Sequence, residues 1–144
     1  MIYWGIDALR NEVLRWYSEA LWDLDTARIL YRERRYNAAA FYSHQAAEKA
    51  VKALLYSVNE APWGHSIREL LRRFYERTGI KPNEEIMSLA RELDIHYIPS
   101  RYPNAYPSGT PHEAYDERIA GNALRAAEKI IEYCRVFLFG EQVS

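Results

Sequence analysis

Between Ala39 and Val58 the small apolar residues Ala39, Ala46, Ala47, Ala50, Val51, Leu54 and Val58 recur at three- and four-residue intervals. That period winds them onto one side of an α-helix. So many alanines on one stripe let a neighbouring helix approach closely. No stretch of the chain alternates apolar and polar residues in the manner of a half-buried strand. The expected fold is all-α, an up-and-down antiparallel bundle of four to five helices, in a single domain spanning residues 1–144.

The same period places the other elements. A first helix is expected from Ile6 to Arg34, burying Leu9, Val13, Trp16, Tyr17, Ala20, Leu24, Ala27 and Tyr31. The break at Arg35–Asn37 is short, so a second helix, Ala38–Val58, must run back beside the first. Ser66 and Glu69 form a capping-box pattern that opens a third helix reaching Thr78, and Gly79 supplies the left-handed residue after it. Pro82 suits the first turn of a fourth helix, continuing to Asp94 or His96. Pro99, Pro103, Pro107 and Pro111 then hold an extended loop. Thr110, Pro111 and Glu113 repeat the capping pattern, which predicts a last helix from there to Phe139. Its buried stripe is Ala120, Leu124, Ala127, Ile131, Cys134 and Leu138, with Gly121 at a close helix contact and Gly140 as the stop.

Composition removes several function classes. The 19 Lys and Arg nearly balance the 20 Asp and Glu, so no field of one sign steers the chain to DNA or to a membrane. Any nucleic-acid contact needs a local cluster. The lone cysteine, Cys134, excludes an internal disulfide and a multi-cysteine metal site, and its place on an apolar stripe makes it a small core residue. His65, His96 and His112 are far apart in sequence, so no metal is expected. There is no glycine-rich phosphate loop and no dinucleotide fingerprint, hence no expected cofactor. The N-terminus does not read as a secretory leader, and no apolar run reaches membrane-spanning length, which points to the cytoplasm.

Four segments stand in order between Glu19 and Leu138: DLDTARIL at Asp23–Leu30, QAAEKAVKALL at Gln45–Leu55, the pair His65–Ser66, and YIPSRYPNAY at Tyr97–Tyr106. Together they resemble the HEPN domain, in the branch marked by YIPxRYP. The resemblance implies a helical bundle that binds a nucleotide or RNA. It also implies action beside a minimal nucleotidyltransferase in a prokaryotic cassette of toxin–antitoxin type, and pairing as a homodimer.

Three clusters could carry the chemistry. Arg91 and His96 have the R-x4-H spacing that, in ribonuclease members of the HEPN superfamily, marks a catalytic pair. Histidine can move a proton near neutral pH and arginine can stabilise a pentavalent phosphate. Glu92 stands where that pattern often has Asn, and Tyr97 is adjacent to His96 and not two residues on. Without a nuclease role, Arg91 pairs with a carboxylate and His96 packs at a helix end. Arg101 and Tyr102 form the second cluster. The guanidinium can fork onto phosphate or stack on a base, and Tyr97, Tyr102 and Tyr106 offer further rings; otherwise Arg101 caps helix carbonyls. His44, Lys49 and Lys52, with Gln45 and Glu48, are the third. They either reach a nucleotide phosphate or form a buried network that fixes helix register.

The leading expectation is nucleotide or RNA binding through His44, Lys49, Lys52, Arg101 and Tyr102. It requires the proline-framed loop to fold over the lysine-bearing side of the second helix, making a shared pocket. The alternatives are a metal-independent endoribonuclease using Arg91 and His96, and a pure interaction module, prompted by Trp4, Trp22 and Trp63.

Overall fold

The computed structural model describes residues 2–140, with side chains from Ala8 onward; Trp4 lies outside the described side chains. Five helices of more than ten residues and one single turn follow in order: α1 (Ile2–Arg32), α2 (Tyr36–Ser57), α3 (Ile67–Thr78), α4 (Glu84–Asp94), α5 (Pro111–Ala114) and α6 (Glu117–Phe139). The described residues contain no strand. The all-α bundle is as the sequence requires.

Helix α2 is the axle. Ala39, Ala46, Ala47, Ala50, Val51 and Leu54 are fully buried, and α1 and α6 lie along it. Alanines replace bulk with proximity, so the bundle gains its close contacts from backbone approach as much as from large side chains. The larger groups fill the space toward α3 and α4: Leu70, Leu71 and Phe74 from α3, Leu93 from α4 and Ile130 from α6. Cys134 is buried among them, and burial pushes its thiol pKa up.

Local chemistry sets the helix ends. Arg34 takes a left-handed φ of 62°, which stops α1 two residues before its expected end and turns the chain directly into α2. Ser66 caps α3, accepting from the Glu69 N–H at 3.1 Å, and Gly79 closes it at φ 73°. The reciprocal half of the capping box is absent, because the Glu69 carboxylate binds Arg72 instead. Gly121 lies where an added Cβ would stand 3.3 Å from the Tyr31 hydroxyl, so it does mark a close approach of α6 to α1.

Two expected starts are displaced. Pro82 precedes α4, and Asn83 caps it by accepting from the Ile86 N–H at 3.0 Å. Thr110 and Pro111 open only the single turn of α5; the Thr110 hydroxyl goes to Glu113 and not to a backbone amide. The chain then extends through Tyr115, and α6 begins afresh with Asp116 accepting from the Ile119 N–H at 2.9 Å. The interruption lets the Tyr115 ring enter the core.

Candidate functional site

The polar row on α2 is inside the bundle. His44 is fully buried, and Glu48 and Lys52 nearly so. Lys52 pairs with Glu48 at 3.1 Å and its ammonium lies over the Trp16 ring of α1, 5.4 Å from the centroid. Lys49 pairs with the buried carboxylate of Asp23, also on α1. His65, from the loop before α3, meets Glu48 at 3.3 Å through Nδ1 and keeps one outer face in solvent. Of the two readings left open by the sequence, these contacts make the row a network tying α1, α2 and the α3 approach together.

Asp94, the last residue of α4, is the hub of that network. Its carboxylate accepts from the Ser66 hydroxyl at 2.9 Å and from the Ile67 and Arg68 amides at 2.8 and 3.1 Å; His44 Nε2 lies 3.0 Å away. A negative charge placed on the first turn of α3 satisfies amides that the helix itself leaves free. Burial works against the Asp94 charge, but the hydrogen bonds from His44, both amides and Ser66 prevail, holding its carboxyl below the usual carboxylate range. In the fold the Asp94 carboxylate is turned inward, toward the start of α3. No local pattern announces this, because the hydroxyl and amides that claim it lie 26 to 28 residues earlier.

The proline-framed loop folds back on α2, but at the other end from the lysines. Asn37 donates to the Ser100 carbonyl at 3.0 Å. The Arg101 guanidinium lies over the rings of Phe41, Tyr97 and Tyr102, at 4.3, 4.6 and 4.8 Å. Its Nε and Nη2 donate to the Tyr97 carbonyl at 2.9 and 2.6 Å. Tyr97 in turn stacks on His65, with ring centroids 5.0 Å apart and planes 17° apart. The shared pocket expected between the loop and the lysines of α2 therefore does not form: Lys49 and Lys52 face α1, His44 is enclosed, and only Arg101 and Tyr102 of the five stand together. Tyr102 keeps 45% of its surface exposed. Tyr106 holds the loop by donating to the Pro99 carbonyl at 2.7 Å.

Arg91 and His96 differ in setting. Arg91 is exposed on α4 and makes no hydrogen bond or ion pair with the described residues, contrary to the expected carboxylate partner. Five residues of helical winding carry His96 about 140° round from it. The His96 ring is half-buried, with Nδ1 2.7 Å from the Tyr115 hydroxyl. Burial, and then the nearby charge of His44, lowers its pKa. Its ring is thus neutral at pH 7. A tyrosine hydroxyl can donate or accept, so it supports either tautomer; with Nδ1–H donating, Nε2 is a free base. Tyr115 itself, its pKa raised by burial, stays a phenol. Tyr115 escaped notice in the sequence because its partner lies 19 residues away. Two exposed isoleucines, Ile95 and Ile98, flank this helix end.

Comparison with known proteins identifies the family. The HEPN domain pattern matches residues 13–137. The chain is 28% identical over 123 residues to a protein of Methanocaldococcus jannaschii named as a candidate toxin, MJ1304, covering 81% of each. Among crystal structures, TT1696 from Thermus thermophilus is 34% identical, covers 89% of this chain and 99% of its own, and superposes with a TM-score of 0.84. ST0689, an archaeal HEPN homologue, is 38% identical over 85% of this chain and 94% of its own, with a TM-score of 0.72. The HEPN domain protein TM0613 of Thermotoga maritima is 35% identical over 86% and 97%, with a TM-score of 0.69. A pattern match across most of the chain, with solved relatives above 30% identity, means that this protein belongs to the HEPN domain family.

Proposed function

We propose that this chain is a toxin-type HEPN protein directed at RNA, acting beside a minimal nucleotidyltransferase, and that the end of α4 is the surface that meets the RNA. The observation that supports it is one short segment, residues 91–102. It carries an exposed cation with no partner among the described residues, an imidazole of lowered pKa held by a tyrosine, and the Arg101 guanidinium over the rings of Tyr97 and the half-exposed Tyr102. The M. jannaschii relative named as a candidate toxin supports the toxin assignment.

The chemistry follows from the groups present. The ribose 2′-oxygen forms a bond to the adjacent phosphorus, and the bond from phosphorus to the 5′-oxygen breaks. Neutral His96 takes the 2′-hydroxyl proton, the departing 5′-oxygen takes a proton from water, and Arg91 offsets the charge on the phosphoryl oxygens. The nucleophile is internal to the RNA, so the step needs no metal-activated water. Products are a 2′,3′-cyclic phosphate and a free 5′-hydroxyl. The test is cleavage of short single-stranded RNA by the purified protein with chelator present. Loss of those products in His96→Ala and in Arg91→Ala is the expected result. Cleavage unchanged in His96→Ala refutes the catalytic assignment.

A second reading, nucleotide binding without cleavage at Arg101 and Tyr102, is favoured by the exposure of Tyr102 beside a guanidinium. Isothermal titration with ATP, GTP and short RNA separates the two readings, because Arg101→Ala lowers affinity only in the second. For the partner, a short nucleotidyltransferase frame beside this one, carrying a Gly-Ser and paired-aspartate motif, and a complex that co-purifies, are the results expected.

A further inference from the structure

The loop between α2 and α3 carries two planar rings, each braced on one face and open on the other. Trp63 is 65% exposed, yet the Arg73 guanidinium of α3 lies against its indole, 4.1 Å from the centroid. That guanidinium is itself held, Nη1 donating to the Ala61 carbonyl at 2.6 Å and Nη2 to the Trp63 carbonyl. His65, two residues on, is backed by Tyr97, and its side chain is 58% exposed. Fixing an aromatic ring without burying it adds little to the core. It does provide a surface whose ordering cost is met before a ligand arrives.

We propose that Trp63 and His65 are base-stacking platforms for single-stranded RNA, extending the site at the end of α4. This rests on the RNA reading of that site. The surroundings select the occupant. Among the described residues from 59 to 68, Trp63 is the only large apolar side chain that is exposed, so the patch lacks the apolar centre of a protein interface. A nucleobase needs only a ring face, and every base has one to offer. Arg68, on the first turn of α3, is exposed and its side chain makes no hydrogen bond or ion pair with the described residues, which leaves a cation for the RNA backbone. The carboxylates close by are engaged: Glu48 by Lys52 and His65, Asp94 by the start of α3, and Glu69 by Arg72. The two sites are continuous. Tyr97 lies in the segment proposed to meet RNA, and its ring centroid is 5.0 Å from that of His65. The two chain steps from His65 to Trp63 add at most about 7 Å. A span on the order of 12 Å fits about three or four nucleotides at the roughly 3.4 Å rise of a stacked strand.

The test measures binding without cleavage. It uses a 2′-O-methyl oligoadenylate of about ten nucleotides, which lacks the attacking hydroxyl, followed by fluorescence anisotropy. Trp63→Ala, at a surface position, is expected to weaken binding roughly tenfold, as loss of a base stack does. Arg68→Ala should lower the salt slope by about one. The oligonucleotide should quench the tryptophan emission of wild type, and in Trp63→Phe, which keeps a ring, binding should persist while the quenching disappears. RNA bound as tightly by Trp63→Ala as by wild type overturns the platform, and a weaker Arg91→Ala in the same titration shows the site at α4 to stand without it. Quenching that survives in Trp63→Phe also overturns it. So does a Trp63→Ala variant that keeps its RNA affinity and loses a co-purifying protein, which assigns the ring to that protein. Wild type that binds no RNA sinks the reading at α4 and this one together.

Discussion

Replacing Asp94 by alanine removes, in one step, an acceptor for the Ser66 hydroxyl, for two first-turn amides of α3 and for the buried His44 ring. Each loss has a scale. An acceptor at a helix start is worth about 1 kcal/mol. The carboxylate charge at that end adds about 0.3–1 kcal/mol. Stranding a buried polar group such as His44 costs about 1–3 kcal/mol. The side chain is 21% exposed, so water recovers part of this at the α3 amides. The net expectation is a destabilisation of about 3 kcal/mol, or a fall in melting temperature of about 9 °C for a chain of this length. Urea unfolding followed by far-UV circular dichroism measures it. Asp94→Asn keeps the shape and one acceptor oxygen and should lose about half as much. Glu92→Ala, exposed on the same helix, should change stability by less than about 0.5 kcal/mol. If Asp94→Ala lies within about 1 kcal/mol of wild type, the hub assignment is wrong, because stranding His44 alone costs at least that much.

Other outcomes follow from the same contacts. The folded state lowers the His96 pKa, so the unfolded chain binds that proton more readily and stability should fall as pH drops below about 6.5. His96→Gln should flatten this region in urea titrations run between pH 7.5 and 5. The lowered Asp94 pKa gives a second, separate loss: its contribution is complete above about pH 4 and disappears as pH falls through the folded value. Arg101→Ala should cost about 1–2 kcal/mol through the lost ring contacts and the two bonds to the Tyr97 carbonyl, and Arg101→Lys should not restore it, since an ammonium lacks the planar fork. Thermal melts of both variants decide this. The Cys134 thiol should react with a disulfide reagent only as fast as the protein opens, and urea should accelerate the reaction in step with unfolding.

What could be read from sequence alone was whatever depends on near neighbours. The alanine stripe of α2, the Ser66 cap, the Gly79 stop and the buried place of Cys134 are all set within a turn or two of chain, and each is found as expected. Helix starts were less legible: the sequence set them at Pro82 and at Thr110–Pro111, whereas the caps that act are Asn83 and Asp116, and Tyr115, just ahead of the second, takes a place in the core. Only the tertiary structure decided which polar residues face inward. His44, Glu48 and Lys52 carry no mark that distinguishes a ligand-binding row from a buried one, because that depends on which carboxylates and rings arrive from α1, α4 and the loop before α3. A helix period fixes direction about its own axis, and the identity of what waits in that direction is a property of contacts 17 to 50 residues apart.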